Sequence, residues 1–394
     1  MEDTFILSAL RTAVGSFGGA LKDSPPADLG ALVAGQAISQ AAITGEDVGH
    51  VVFGQVMPTE PADAYLARVI AIRAGVHIGA PSLTVNRLCG SGLQAVITAT
   101  RCIKLGECDY VLAGGAEVMS RVPFFAPHVR FGRKMGDSVL VDGLTGALTD
   151  PFGNGLMGVT AENVAVRYQV SRADQDALAL ESHRRAAAAT QAGHFRSQIV
   201  PVEISTRKGK QLFEIDEHVK PATTLADLEK LKTIFRPEGG TVTAGNSSGI
   251  NDGAAALILA SGKAVRERGL KPRARVMAYG YAGVDPSEMG MGPVPASRQA
   301  LGRAGLKVSD LDVIESNEAF AAQACAVSRQ LGFDPKKLNP NGSGISIGHP
   351  VGATGAILLT KLVHELERTG GRYGLVTMCI GGGQGIAAVI ENVG

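Results

Sequence analysis

The sequence lacks tryptophan altogether, and aromatic residues make up only 5% of its 394 positions. It also lacks an excess of either charge, because the formal net charge at neutral pH is +1. Surfaces that bind nucleic acid or anionic membranes need surplus lysine and arginine to neutralise phosphates, so we expect neither as a partner. Hydrophobic residues reach 45%, which is enough to build two or three packed domains.

Cysteine is scarce as well. The chain has five, which are Cys89, Cys102, Cys108, Cys325 and Cys379. The number is odd and no CxxC pair or zinc-like cluster of cysteine and histidine is present. A disulfide framework and a metal site are therefore not expected. The first residues, Met1–Asp3, show neither the basic nor the apolar segment of a secretory signal. These observations predict a cytoplasmic protein in a reducing environment.

A long run without a charged residue extends from Tyr373 to Ile390, about the length of a membrane span. Glycine occupies positions 374, 381, 382, 383 and 385 within it. Such a cluster favours a buried strand followed by a glycine loop over a membrane helix.

Short runs rich in valine and isoleucine alternate with alanine- and leucine-rich stretches of helical period, which is typical of an α/β protein. The same order of elements is found twice along the chain, and this repetition indicates a duplicated fold. Cys89 and His349 fall at equivalent places in the two copies. The predicted strands are His50–Phe53, Ser82–Asn86 and Gly374–Cys379, and the predicted helices are Asp28–Ala42, Leu93–Leu105 and Gly355–Leu366.

Between the two copies, the segment from Arg121 to about Asn246 has a different pattern of aromatic and proline-containing loops. We interpret it as an insertion, with one helix predicted over Thr160–Ala192. The charged stretch 207–210 favours a solvated turn over a phosphate site.

Cys89 stands directly before an amphipathic helix, so the free N–H groups at the helix start should lower the pKa of its thiol. Gly90 and Gly92 allow a substrate to approach the sulfur closely, as a nucleophile requires. The pattern therefore predicts a nucleophile at this position. The cysteines at 102, 108 and 325 have no such setting and fit small buried hydrophobic residues.

Two further residues lie in glycine-rich turns. His349 has glycine before it and Pro350 after it, ahead of the predicted helix Gly355–Leu366. Cys379 ends a predicted strand and is followed by the loop Gly381–Gly385. The backbone N–H groups of such a loop can form an oxyanion hole if they face one point. We interpret both residues as candidates for catalysis.

Six segments that follow one another in the same order resemble the thiolase family, and the resemblance covers essentially the whole chain. They are Arg11–Gly19, Asn86–Gly92, Thr243–Asn246, Asn317–Phe320, Gly348–Pro350 and Cys379–Gly385. The run 339–344 is similar to the broad-range bacterial β-ketothiolases that supply polyhydroxyalkanoate precursors, whereas 208–231 also resembles the 3-ketoacyl-CoA thiolases of fatty-acid degradation.

The resemblance implies an α/β fold in which duplicated βαβαβαββ halves, with five-stranded mixed sheets, form a layered αβαβα core beside an inserted loop domain. The N-terminal half would comprise residues 1–120 and 247–272, the loop domain 121–246 and the C-terminal half 273–394. The family also implies a homotetramer built as a dimer of dimers, with Phe124–Met135 as a tetramer contact.

The activity implied by the resemblance is reversible Claisen condensation of acetyl-CoA with an acyl-CoA, and thiolysis of 3-ketoacyl-CoA, by a ping-pong mechanism. Cys89 would carry the acyl group after activation by His349 as the base. Cys379 would take a proton from the methyl carbon of the second acetyl-CoA. His349 and a water held by Asn317 would form one oxyanion hole, and the N–H groups of Cys89 and Gly381 the other.

Coenzyme A and its thioesters would be substrates, with no tightly bound cofactor and no metal. The residues matched to the coenzyme A channel are Leu148, Met157, Lys220, Phe235, Ala244, Ser248, Met289, Ala319 and Phe320. Two positions depart from the family. Leu156 replaces a histidine of many acetoacetyl-CoA thiolases, which indicates a wider acyl pocket. Lys220 replaces an arginine that contacts coenzyme A and lacks its guanidinium fork.

Two other functions compete with this interpretation. A decarboxylating ketoacyl synthase of the same superfamily would have histidine or asparagine in place of Cys379 and would lack the long insertion. A non-catalytic acyl-CoA carrier would have no need of Cys89, His349 and Cys379 together.

Overall fold

The computed structural model describes residues 2–207 and 209–394. Its strands are β1 (Thr4–Arg11), β2 (Gly15–Ser16), β3 (His50–Gly54), β4 (Ser82–Val85), β5 (Tyr110–Val118), β6 (Phe124–Phe125), β7 (Val141–Asp142), β8 (Thr149–Asp150), β9 (Gly155–Leu156), β10 (Val202–Thr206), β11 (Gly209–Phe213), β12 (Asn251–Ser261), β13 (Ala274–Gly283), β14 (Val313–Ser316), β15 (Tyr373–Ile380) and β16 (Gln384–Asn392). Its α-helices are α1 (Pro26–Gln40), α2 (Leu66–Arg73), α3 (Ser91–Lys104), α4 (Gly143–Ala147), α5 (Met157–Arg167), α6 (Arg172–Ala192), α7 (Leu225–Glu229), α8 (Gly262–Arg268), α9 (Pro293–Ala304), α10 (Ala321–Leu331) and α11 (Thr354–Thr369). Short 3-10 helices span Gly45–Asp47, Pro61–Tyr65, Met119–Arg121, Pro286–Met291 and Val308–Asp310.

The two halves of the chain build sheets with the same strand order. In the first half, β4, β3 and β5 are parallel, and β12 and β1 follow as antiparallel strands. In the second half, β14 and β15 are parallel, and β16 and β13 follow as antiparallel strands. Where β4 lies in the first half, the second has only a one-residue bridge between Ile314 and Leu338. The second sheet therefore has four full strands within the described residues instead of the five expected.

The two sheets join through β1 and β13, which pair at Phe5 with Arg275 and at Ile6 with Ala274. Helices α3 and α11 lie between the sheets, because α3 contacts β5 and β16 while α11 contacts β15 and β1. Helices α1 and α2 pack on the other face of the first sheet, and α9 packs on that of the second. Strand β12 is buried along its whole length because it lies in the centre of the layers. The predicted duplication and αβαβα layering are confirmed.

Helices α3 and α11 cross closely near their N-terminal ends. A Cβ atom on Gly92 would lie 2.8 Å from the backbone nitrogen of Ala356 and 3.0 Å from the carbonyl oxygen of Ala353. Only glycine fits there, because the neighbouring atoms are backbone and have little room to move. The crossing brings Cys89, directly before α3, and His349, shortly before α11, to the same end of the layers.

The insertion differs from the prediction of one helix over residues 160–192, which is wrong. Helices α5 and α6 are separate, and Gln169 between them has a φ of +52°. Ser171 starts the second helix with a capping box, in which its hydroxyl accepts the N–H of Asp174 and the Asp174 carboxylate accepts the N–H of Ser171. This cap stops the first helix from continuing, although no glycine or proline lies between them.

The uncharged run near the C-terminus forms β15 and β16, joined by a glycine turn, as predicted. No helix in residues 2–207 and 209–394 is both long and apolar enough to cross a membrane. Arg207, Gly209 and Lys210 of the charged stretch lie at or next to the tip of the β10–β11 hairpin, where Lys210 pairs with Glu203 on an exposed face. Lys208 of that stretch is outside the described residues.

Candidate active site

Four loops from both halves of the chain meet beside the crossing of α3 and α11. Asn317, directly after β14, donates its backbone N–H to Thr377 in β15 at 3.0 Å. Its side-chain nitrogen lies 3.5 Å from Nε2 of His349. The backbone N–H of Gly381 faces the sulfur of Cys89, and Cys379 lies close enough to Cys89 for that neighbour to add to the effect of burial in raising the pKa of the Cys379 thiol. The structure thus brings together all five residues that the sequence indicates as catalytic.

His349 is held in one tautomer by a residue that the sequence analysis missed. Its Nδ1 lies 2.7 Å from the hydroxyl oxygen of Thr354, and that hydroxyl donates its proton to the carbonyl of Pro350 at 2.8 Å. The hydroxyl can therefore only accept from Nδ1, which must carry the proton, and Nε2 keeps its lone pair. Burial lowers the pKa of His349 to about 4, so the ring is a neutral base at physiological pH.

The backbone around His349 depends on a second residue missed at the sequence level, Asn251. The carboxamide oxygen of Asn251 accepts the N–H of His349 at 2.9 Å, and its nitrogen donates to the carbonyl of Gly15 at 3.0 Å. Asn251 is fully buried at the start of β12. A signal was available in the sequence, because Asn251 and Asp252 are polar residues that begin an otherwise apolar strand.

Cys89 is half-buried and packs against an apolar cluster that includes Met57, Met119 and Val351. Burial raises the pKa of its thiol, against the lowering effect of the N–H groups of Gly381 and of Cys89 itself. The expectation that the helix start would lower this pKa is therefore wrong for the free protein. The loss of solvation outweighs the few backbone dipoles that face the sulfur.

Glu117 is a third residue that the sequence analysis missed, and it ties the two halves together. Its carboxylate, fully buried in β5, accepts backbone N–H groups from Val56 at 3.0 Å, Met57 at 3.2 Å and Gly352 at 2.8 Å. Burial raises its pKa to about 8, while these three donors lower it. The signal was one carboxylate inside the apolar run Tyr110–Val118.

Cys379 is 1% exposed at the end of β15, in an apolar cluster with Met157, Met289, Ala319 and Phe320. Burial and the neighbouring Cys89 raise the pKa of its thiol far above the ordinary range. A thiolate formed there is a strong base for the same reason. Gly382 and Gly383 turn the chain back into β16 with φ values of +75° and +82°, which glycine adopts readily.

The residues matched to the coenzyme A channel fall into two groups. Six of them lie close to the two thiols. Cys379 is packed against Met157, Met289, Ala319 and Phe320, and Phe235 packs edge-to-face on Phe320 with ring centroids 6.2 Å apart. Leu148 packs in the apolar cluster of Cys89. Ser248 joins them through its N–H, which donates to Ala319 at 2.9 Å. Ala244 and Lys220 lie on the exposed surface, where the N–H of Lys220 donates to Nδ1 of His183.

Metal ligands do not cluster anywhere in the part of the chain that the structure describes. No group of three or more histidine, cysteine, aspartate or glutamate side chains is arranged there to hold an ion.

Comparisons with known proteins identify the family. The thiolase N-terminal domain matches residues 4–263 and the thiolase C-terminal domain matches residues 270–392. The chain belongs to the thiolase family. It is 61% identical to the beta-ketothiolase BktB of Cupriavidus necator, with all of each chain covered.

Solved structures show the same fold. Human mitochondrial 3-ketoacyl-CoA thiolase in complex with CoA is 44% identical, with 100% of this chain and 98% of that chain covered and a TM-score of 0.97. The Bacillus anthracis acetyl-CoA acetyltransferase is 41% identical over 100% and 99% of the two chains, also with a TM-score of 0.97. The chain is therefore an enzyme with thiolase acyl-transfer activity, and the synthase and carrier interpretations are set aside.

The neutral state of the Cys89 and His349 pair predicts how Cys89 reacts with iodoacetamide. Because the thiol pKa is raised and the imidazole is uncharged, the thiolate fraction should rise about tenfold per pH unit from about pH 6 to pH 8. We expect the alkylation rate, followed by mass spectrometry of the peptide that contains Cys89, to rise in parallel. A rate that levels off below neutral pH would indicate a thiolate–imidazolium pair and contradict this account.

Proposed function

We propose that the chain is a β-ketothiolase that condenses acetyl-CoA with an acyl-CoA, and cleaves 3-ketoacyl-CoA, through an acyl-Cys89 thioester. The observation that carries the proposal is that two thiols and a neutral imidazole with an unprotonated Nε2 are brought to the same end of the layers. Acyl transfer between thioesters needs a sulfur nucleophile and a base, and carbon–carbon bond formation needs a second base.

In the first half-reaction, the sulfur of Cys89 attacks the thioester carbonyl while Nε2 of His349 takes the thiol proton. The tetrahedral oxyanion accepts the N–H groups of Cys89 and Gly381, which both face the sulfur. Collapse of this intermediate breaks the bond to the coenzyme A sulfur. Cys379 is protonated because its pKa is strongly raised, so it is the donor beside the leaving thiolate. Free coenzyme A then departs, as ping-pong kinetics require.

In the second half-reaction, the Cys379 thiolate removes a proton from the methyl carbon of acetyl-CoA. The enolate oxygen faces the protonated His349 and a water held by Asn317. The carboxamide oxygen of Asn317 is buried and has no partner among the described residues, which leaves it available to a water. The enolate carbon attacks the acyl-Cys89 carbonyl, and the departing Cys89 sulfur takes its proton back from His349.

Coenzyme A binding is assigned to the loop domain, residues 121–246, and to the apolar residues around Cys379. Support comes from the relative whose structure is described as a complex with CoA. The exposed position of Lys220 suits contact with the charged, solvated end of coenzyme A, as a point charge without the fork of arginine. The two halves, 1–120 with 247–272 and 273–394, supply the catalytic loops. Coenzyme A acts as a substrate, and no tightly bound cofactor takes part.

Homotetramer formation is assigned to the segment Phe124–Met135. Its apolar side chains are unusually exposed, with Phe131 97% and Met135 88% accessible to solvent. Soluble monomers rarely leave such a patch uncovered, so a second copy of the chain is the proposed cover. A dimer as the largest species in sedimentation would contradict this assignment.

Substitution of Cys89 tests the proposed reaction. Cys89→Ser removes the nucleophile, so thiolysis of acetoacetyl-CoA should fall by at least about 10³-fold while the unfolding temperature stays close to that of the native enzyme. The matched control is Cys325→Ser, at a half-buried thiol on α10, which should keep its turnover. Retained turnover in the Cys89 variant would overturn the proposal.

Acyl-chain preference is the second test, because Leu156 stands at the end of β9 beside Met157. We propose a broad acyl range, in line with the BktB relative. Leu156→His should lower kcat/KM for 3-ketohexanoyl-CoA relative to acetoacetyl-CoA by about tenfold, since the imidazole fills and polarises the space near the acyl chain. Leu212→His on the exposed strand β11 is the control. An unchanged ratio would show that this residue does not line the acyl pocket.

A further inference from the structure

Leu88, directly before Cys89, has an unusual backbone conformation. Leu88 has a φ of +47°, in the left-handed region that residues with a side chain rarely adopt. Its own N–H donates to the carboxamide oxygen of Asn86 at 2.9 Å. Backbone strain of this kind persists only where neighbouring groups enforce it. The strained residue, Leu88, directly precedes the proposed nucleophile.

Ser91 supplies most of that enforcement. Its hydroxyl donates to the carbonyl oxygen of Leu88 at 2.6 Å, and its backbone N–H donates to the same oxygen at 2.9 Å. The hydroxyl oxygen in turn accepts the N–H of Arg87 at 2.8 Å. Ser91 is fully buried, so no water competes for these bonds.

The hydroxyl of Ser91 does not serve the start of α3. The N-cap of that helix is Gly90, which has no side chain to cap it, and the serine hydroxyl bonds backwards to Arg87 and Leu88 instead. A role in starting the helix therefore does not explain this residue.

The geometry of a trans peptide gives these bonds a consequence for Cys89. The carbonyl and the N–H of one peptide group point in opposite directions, so fixing the Leu88 oxygen on Ser91 directs the Cys89 N–H to the other side. That N–H faces the sulfur together with the N–H of Gly381. Two donors on the carbonyl also polarise the peptide and make its N–H a stronger donor.

We propose that Ser91 is a positioning residue that aims and strengthens the Cys89 N–H for the oxyanion of the acyl-transfer step. The inference rests on the proposed function, in which that N–H binds the oxyanion. It adds a residue that acts through the backbone and touches neither substrate nor the reacting atoms.

The test compares two reactions of Cys89 in Ser91→Ala. Acetyl transfer from acetyl-CoA, measured as the coenzyme A released in one turnover, passes through an oxyanion, whereas alkylation by iodoacetamide does not. Both reactions need the thiolate, so any change in its population cancels in the ratio of the two rates at one pH. We expect this ratio to fall by about 10-fold to 100-fold. An unchanged ratio would overturn the inference.

Two further variants make the result decisive. Ser8→Ala is the matched control, because Ser8 is fully buried and its hydroxyl also donates to a backbone carbonyl, that of Ala37 at 2.7 Å. It should leave the ratio as in the native enzyme. Asn86→Ala removes an exposed side chain that accepts the N–H of Leu88 and so holds the adjacent Arg87–Leu88 peptide, and should lower the ratio in the same direction by a smaller amount. If Ser91→Ala does not fold, Ser91→Gly, which also removes the hydroxyl, takes its place, and an unchanged ratio in that variant overturns the inference.

Failure of the proposed function gives a different result. In that case the native enzyme releases no coenzyme A in the single-turnover assay. If the native enzyme does release it and the variants match its ratio, only the role of Ser91 is lost.

Discussion

The close crossing of α3 and α11 is the constraint on which the site depends. Gly92 lets the two helices touch through their backbones, and each helix is preceded by a loop from its own half of the duplicated fold. Cys89 and His349 meet because the crossing is so tight. Glu117 then binds the segment after β3 and the loop before α11 with one carboxylate, which ties the first half to the loop that contains His349.

Burial sets the protonation of the site in one consistent direction. It raises the pKa of both thiols and lowers that of the imidazole to about 4, so Cys89, Cys379 and His349 are uncharged in the free enzyme at neutral pH. Cys89 and Cys379 therefore stay protonated until a thioester binds. In the proposed reaction the Cys89 proton then passes to Nε2 of His349, and the Cys379 proton passes to the leaving coenzyme A sulfur. The raised pKa that makes Cys379 a poor acid also makes its thiolate a base strong enough for a methyl carbon.

Much of this architecture is readable in the sequence, because glycine-rich turns after apolar runs mark the places where Cys89, His349 and Cys379 stand. The repeated order of elements likewise predicts the duplicated sheets. The break between α5 and α6 is not readable from helical period alone, since it depends on the capping box at Ser171. The direction of the pKa shift of Cys89 could not be predicted either. The lowering effect of the helix start is visible in the local sequence, whereas the burial that raises the pKa comes from residues distant in the chain. Thr354, Asn251 and Ser91 were missed because each acts through a partner that only the folded chain identifies.

The central claim is that Cys89 carries the acyl group between the two half-reactions. The most direct measurement is to mix the native enzyme with acetyl-CoA in the absence of free coenzyme A, quench in acid and locate the acetyl group by peptide mass spectrometry. The account predicts one acetyl group, on the peptide that contains Cys89, which disappears when coenzyme A is added before the quench. An acetyl group on the peptide that contains Cys379, or none on either, would contradict it.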